Sequence, residues 1–204
     1  MNYKNLPFAL LLGASLVTSS ACEDDHGEHE HETEVITTVS LSFTPVAGGA
    51  PMTFSFDDPD GDGGDPPTID SIELTEGDYT LAITFENRLE DPAEDITMEI
   101  ADEDNEHQIF FTGSAIDGPA NDNPGAPLTH AYDDMDMGGL PVGLDNTITA
   151  VPGSGDLTLT LRHLPPVNEE AVKLTGLAET VATDGFGAIG GENDVQVTLP
   201  VTIQ

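Results

Sequence analysis

The sequence predicts an all-β fold, an antiparallel β-sandwich of Ig-like or barrel-like form with one short helix. Three observations predict it: period-two alternation of apolar residues, Gly/Pro/Asp turns between the alternating runs, and an internal repeat. Alternation of this kind places every second side chain on a buried face. It runs through Val39-Leu41-Phe43, Met52-Phe54-Phe56, Leu81-Ile83-Phe85, Leu157-Leu159-Leu161 and Val195-Val197-Leu199. The opposite face of each run is Ser, Thr or charged, as expected where one side of an antiparallel sheet meets water.

The chain opens with an apolar run from Leu6 to Val17, preceded by Lys4 and followed by Ser19-Ser20-Ala21-Cys22. A bilayer span needs about 20 apolar residues, so this shorter run reads as a lipoprotein signal peptide over residues 1–21. Cys22 then becomes the acylated first residue, and its fatty chains anchor the protein to a membrane without a transmembrane helix. As the single cysteine of the chain, Cys22 has no disulfide partner within it. Residues 22–34 form an acidic tether that carries His26, His29 and His31. Imidazoles among carboxylates suit Zn2+, Ni2+ or Cu2+, although a disordered segment must lose entropy to chelate. The bland alternative is a hydrated spacer.

The β-domain is expected over 35–204. Within it, Asp91-Pro92-Ala93-Glu94 offers an N-cap Asp, a proline at the first helical position and Glu at the third. The spacing predicts a helix over 92–105 with Ala93, Ile96 and Ile100 on one face. The repeat aligns Gly49–Asp60 with Gly125–Asp136, seven of the twelve positions being identical. Gly77–Leu81 matches Gly155–Leu159, and Leu41–Thr44 matches Ile109–Thr112. Two pseudo-repeats, about 35–105 and 106–204, are expected to cover each other's apolar faces.

Charge removes whole classes of function. The chain holds 39 acidic residues against 4 basic ones, a formal net charge of −35. Nucleic-acid binding requires phosphate neutralisation by Lys and Arg, so no nucleic acid is expected as a partner. Such like charge destabilises a compact state unless salt or bound cations screen it, which points to a saline habitat or to specific divalent ions.

Two constellations could hold such ions. Asp58, Asp60 and Asp62 alternate before Gly63, as in the first half of a Ca2+ loop, but no bidentate Glu follows and no helices flank it. A solvated acidic turn is the alternative. The matching stretch Asp133–Gly139 lacks the third Asp and is expected to bind more weakly. In the second constellation, His130 stands where the first repeat has Phe54, and His163 where it has Phe85. His107 shares its parity with Ile109 and Phe111. Three inward imidazoles converging with Glu106 would make a Zn2+ or Cu2+ site. The alternative is three histidines bonded to backbone carbonyls.

No H-E-x-x-H, G-x-S-x-G or catalytic cysteine pattern is present, and Gly185–Gly190 imitates a dinucleotide fingerprint without a surrounding βαβ unit. A non-catalytic protein is expected.

Cys22 followed by acids, Val35–Val39, Asp91–Thr97, Glu106–Phe111, Leu161-Arg162-His163 and Pro200–Gln204 together resemble small surface lipoproteins of bacteroidete-type bacteria. Automated naming often labels these "type 1 periplasmic binding fold superfamily" proteins. That label implies two α/β lobes with parallel sheets, which the alternating strands contradict. His130 departs from the family pattern, so the resemblance favours His107 with His163. It further implies an outer-membrane, surface-exposed location and association with a TonB-dependent receptor, to which Zn2+ or Cu2+ would be passed. Alternatives are a calcium-stabilised structural or adhesive module and a halophile's small-ligand binding module.

Overall fold

The computed structural model describes residues 34–61 and 63–204. Cys22, the tether histidines His26, His29 and His31, and Asp62 lie outside the described residues. No helix among the described residues is long and apolar enough to cross a membrane.

Twelve strands and two helices follow in chain order: β1 (Thr38–Pro45), β2 (Met52–Asp57), β3 (Thr68–Ile69), β4 (Ile72–Leu74), β5 (Gly77–Asn87), β6 (Glu94–Asp95), α1 (Ile96–Asp102), β7 (His107–Thr112), β8 (Ile116–Asp117), β9 (Leu128–Tyr132), β10 (Asp145–Ala150), β11 (Gly153–His163), α2 (Leu177–Asp184) and β12 (Glu192–Ile203). They form two sheets. The larger runs β3-β2-β1-β5-β10-β9-β8, with β6 attached to β5, and the smaller runs β4-β12-β11-β7. Pairing is antiparallel except β12 with β4 and β8 with β9. The fold is thus the all-β, two-sheet architecture that the alternation implies.

The core is made by the alternating residues. Val39, Leu41 and Phe43 of β1, Leu81, Ile83 and Phe85 of β5, and Leu157, Leu159 and Leu161 of β11 are all buried in one cluster. Each such side chain contributes about 1.5–3 kcal/mol relative to exposure. The strand β7 departs from the alternation because both of its faces are covered. Ile109 and Phe111 enter the main core, while Phe110 meets Leu164, Leu177, Ala178 and Val181 in a second small core beneath α2.

The repeat has a structural counterpart in two strand pairs. Val39 faces Phe85 and Leu41 faces Ile83 across β1 and β5. His107 faces His163 and Ile109 faces Leu161 across β7 and β11. The two pairs therefore share a register and sit in different sheets. The third matched strand breaks the equivalence, since β2 pairs with β1 whereas β9 pairs with β10 and not with β7.

The helix differs from the expected one. Helix α1 begins at Ile96, capped by Asp95, whose Oδ1 accepts the Thr97 N–H at 3.1 Å. Asp91 is not the cap and Ala93 is exposed, because Glu94 and Asp95 first pair with β5 as β6. Ile96 and Ile100 are buried as expected, and the Thr97 hydroxyl binds both Phe85 N–H and its carbonyl, docking α1 on β5. The second helix, α2, lacked a capping signal. Its N-cap is Gly176 in the left-handed region, with no side-chain cap bond.

One buried ion pair fastens the loops. Lys173 Nζ lies 2.9 Å from Asp136 Oδ2 and donates to the Asp104 carbonyl at 2.6 Å. Asp136 also accepts from Leu140 N–H, and Asp134 accepts from Gly143, Leu144 and Asp145 N–H. The Asp133–Gly139 turn therefore engages these carboxylates with main-chain N–H groups and the Lys173 ammonium. Removing one partner of a buried pair leaves an uncompensated charge. Lys173→Met is expected to lower unfolding free energy by ~3–5 kcal/mol in denaturant titration, with much of the loss recovered by adding Asp136→Asn.

Candidate metal centre

The centre sits at the edge of the smaller sheet, where α1 meets β7. His107 is the first residue of β7 and His163 the last of β11, and the two are cross-strand partners. Both rings point to the main-core face, as their parity with Ile109 and Leu161 requires. They stack with centroids 4.6 Å apart and planes 9° from parallel.

Their surroundings are acidic. Glu103, the residue that ends α1, places its carboxylate so that the ligand atoms of Glu103, His107 and His163 all lie within 4.8 Å of one another. His163 Nε2 is 3.9 Å from Glu106 Oε2, and His107 Nε2 is 3.6 Å from Asp194 Oδ2. The side chains of His107 and Asp194 are fully buried.

Asp194 reaches the site through a β-bulge. Across β11 and β12, Leu161 faces Val195 and Arg162 faces Asn193, with the register shift between them. Asp194 is thus the extra residue, and the bulge turns inward a side chain that strict alternation would send to solvent. Just upstream, Gly191 lies against the His163 carbonyl at φ +77, where a Cβ would collide with that oxygen. No other residue type fits the turn that delivers β12 to this edge.

The protonation pattern follows from burial. His107 Nδ1 is 3.2 Å from the Glu103 carbonyl oxygen, which can only accept, so Nδ1 carries the proton of the neutral ring. Burial lowers the His107 pKa to about 4, keeping the ring neutral. Its Nε2 lone pair then faces Asp194 and has no hydrogen-bond partner among the described residues. Burial also pushes the Asp194 carboxyl up to about 7. Glu34 rises to about 7 as well, through burial and then its bond to Glu99, with Asp194 and Glu103 adding repulsion. Two acceptors facing each other, ringed by carboxyls that resist ionising, demand a proton or a metal cation between them. The group can hold a metal ion.

His130 stands apart. It is buried as its parity implies, but its Nε2 bonds Asn146 Oδ1 at 2.8 Å and its ring packs on Phe111 and Tyr132. Burial lowers its pKa to about 4. The three-histidine site does not form, because β9 joins the larger sheet. His107, His163 and Glu106 do come together. Glu103, Asp194, Glu34 and Glu99 were missed by sequence reasoning. Glu99, Glu103 and His107 are spaced four apart at the helix end, which was a usable signal, whereas nothing local marks Asp194.

The first acidic loop is less organised. Asp60 Oδ2 accepts from Asp65 N–H at 3.2 Å, Asp57 pairs with Arg88 at 2.9 Å, and Asp58 N–H donates to the Thr37 carbonyl. Among the described residues no third acid joins Asp58 and Asp60 in an ion-holding cluster.

No family model, curated protein or solved structure matches this chain. The site's chemistry therefore rests on its own geometry.

A pH dependence follows. Asp194 and Glu34 keep protons when folded that the unfolded chain releases near pH 4, so their contribution is complete below that pH and is lost as pH rises through about 7. His107 and His130 act oppositely, costing stability as pH falls from 6.5 towards about 4. Because histidines of the unfolded chain still shed protons up to about pH 8, His107 and His130 add stability between pH 6.5 and 8 while the carboxyls lose it. With Glu34 discounted for its exposure, the two trends nearly offset each other, and metal-free protein in chelator is expected to change by less than about 0.5 kcal/mol between pH 6.5 and about 8. Asp194→Asn removes the main carboxyl share and is expected to turn this into a rise of about 0.5 kcal/mol over the same range, as followed by denaturant unfolding.

Proposed function

We propose that the protein is a lipid-anchored β-sandwich of the cell envelope that binds divalent first-row metal ions at its His107–His163 edge. One observation carries the reading. Two buried imidazoles and an exposed carboxylate, from two strands and a helix end, present ligand atoms within 4.8 Å of one another. Imidazole with carboxylate suits Zn2+ and its neighbours, whereas Ca2+ takes oxygen ligands alone. The wider acidity of the chain adds a long-range attraction for cations.

Anchoring and location rest on Leu6–Cys22, and delivery to a TonB-dependent outer-membrane receptor rests on the resemblance to bacteroidete-type surface lipoproteins. In this reading the tether histidines His26, His29 and His31 add weaker ligands of their own.

The first repeat supplies a packing-compatible disruption, since Val39 and Phe85 fill the register positions of His107 and His163. In protein already carrying His26→Ala, His29→Ala and His31→Ala, isothermal titration with Zn2+ is expected to show saturable heat. Adding His107→Val and His163→Phe is expected to remove it while the circular dichroism spectrum is kept. Unchanged Zn2+ heat in that second protein would refute the site, and a response to Ca2+ alone would favour a structural module instead.

A further inference from the structure

The stacking of the two imidazoles limits how they can ligate. A metal ion bound to an imidazole lies in the ring plane, about 2.0–2.1 Å from the nitrogen for Zn2+. The His107 and His163 rings are 9° from parallel with centroids 4.6 Å apart. Stacked rings approach no closer than about 3.5 Å, so an ion in the plane of one is displaced from the plane of the other by more than a bond length. One ion cannot satisfy both rings as they stand.

The carboxylates divide in the same way. Asp194 Oδ2 is the acid at His107 Nε2, at 3.6 Å, and Glu106 Oε2 is the acid at His163 Nε2, at 3.9 Å. Glu103 lies within 4.8 Å of ligand atoms on both rings. Each imidazole has its own acid and the two share a third. Spacing agrees with this division, because paired metal ions bridged by carboxylate lie about 3.5–4 Å apart, comparable to the 4.6 Å between the rings.

We propose that this edge is a dinuclear centre: one divalent ion on His107 with Asp194, a second on His163 with Glu106, and Glu103 bridging them. This deepens the metal-binding reading and rests on it. The ions it fits are borderline first-row dications with mixed nitrogen and oxygen shells, such as Zn2+, Co2+ and Mn2+.

The test uses the otherwise intact chain with the three tether histidines changed to Ala, loaded with Co2+, freed of excess by gel filtration and analysed for metal. Two Co2+ per chain are expected, with an electron paramagnetic resonance signal showing coupling between them. Asp194→Asn and, independently, Glu106→Gln are each expected to retain one ion and lose the coupling. Whichever of the two variants folds decides the assignment. One ion per wild-type chain overturns the dinuclear centre and leaves the metal-binding reading standing. No bound ion overturns both, and two ions without coupling, unaffected by either variant, place the second ion elsewhere and overturn the bridged pair.

Discussion

Burying the Asp194 carboxylate against the neutral His107 imidazole is the constraint from which the centre follows. Each buried charge must be paired, neutralised by a proton, or answered by a bound ion, because desolvation costs several kcal/mol. The described residues include three strong cations, Arg88, Arg162 and Lys173. Arg88 serves Asp57 and Glu86, and Lys173 serves Asp136. Arg162 donates to the Gly190 carbonyl and Asn193. The Arg162 charge also acts on Asp194, yet burial outweighs it and Asp194 stays raised. Near neutral pH Asp194, pushed up to about 7 by burial, is answered by a proton or by a bound ion. The raised Asp194 and Glu34 and the lowered His107 express that constraint.

The same backbone solution carries two different contents. In the first strand pair, Val39 against Phe85 seals the end of the core with apolar contact. In the second, the equivalent positions hold His107 against His163, and the α1 terminus brings Glu103 beside them. Stability there is exchanged for chemistry, since two imidazoles and several acids replace a hydrophobic plug. The rest of the sandwich has core enough to tolerate it, with Leu157, Leu159, Leu161 and Phe111 buried directly behind.

Much of this was legible in the sequence, for identifiable reasons. Period-two alternation announced β1, β5, β11 and β12, and parity alone pointed His107, His130 and His163 inward. The repeat singled out His163 by comparison with Phe85. What parity cannot give is which sheet a strand joins, and His130 was separated from the other two by β9 pairing with β10. Nor can it register a bulge, and alternation alone puts Asp194 on the face opposite Val195 and Val197. Helix α2 was hidden for want of a capping side chain, and α1 started late because Glu94 and Asp95 were drawn into pairing with β5. The Asp58-Asp60-Asp62 loop and the anchor at Cys22 extend beyond the described residues, so they remain readings of sequence.

Proton–nitrogen correlation NMR of the histidine rings during a Zn2+ titration is the most direct test of a metal centre built on His107 and His163. The Nε2 resonance of His107 and a ring nitrogen of His163 are expected to move together as metal binds, while His130, bonded to Asn146, stays in place. Shifts confined to His26, His29 and His31, with the stacked pair unmoved, would contradict it.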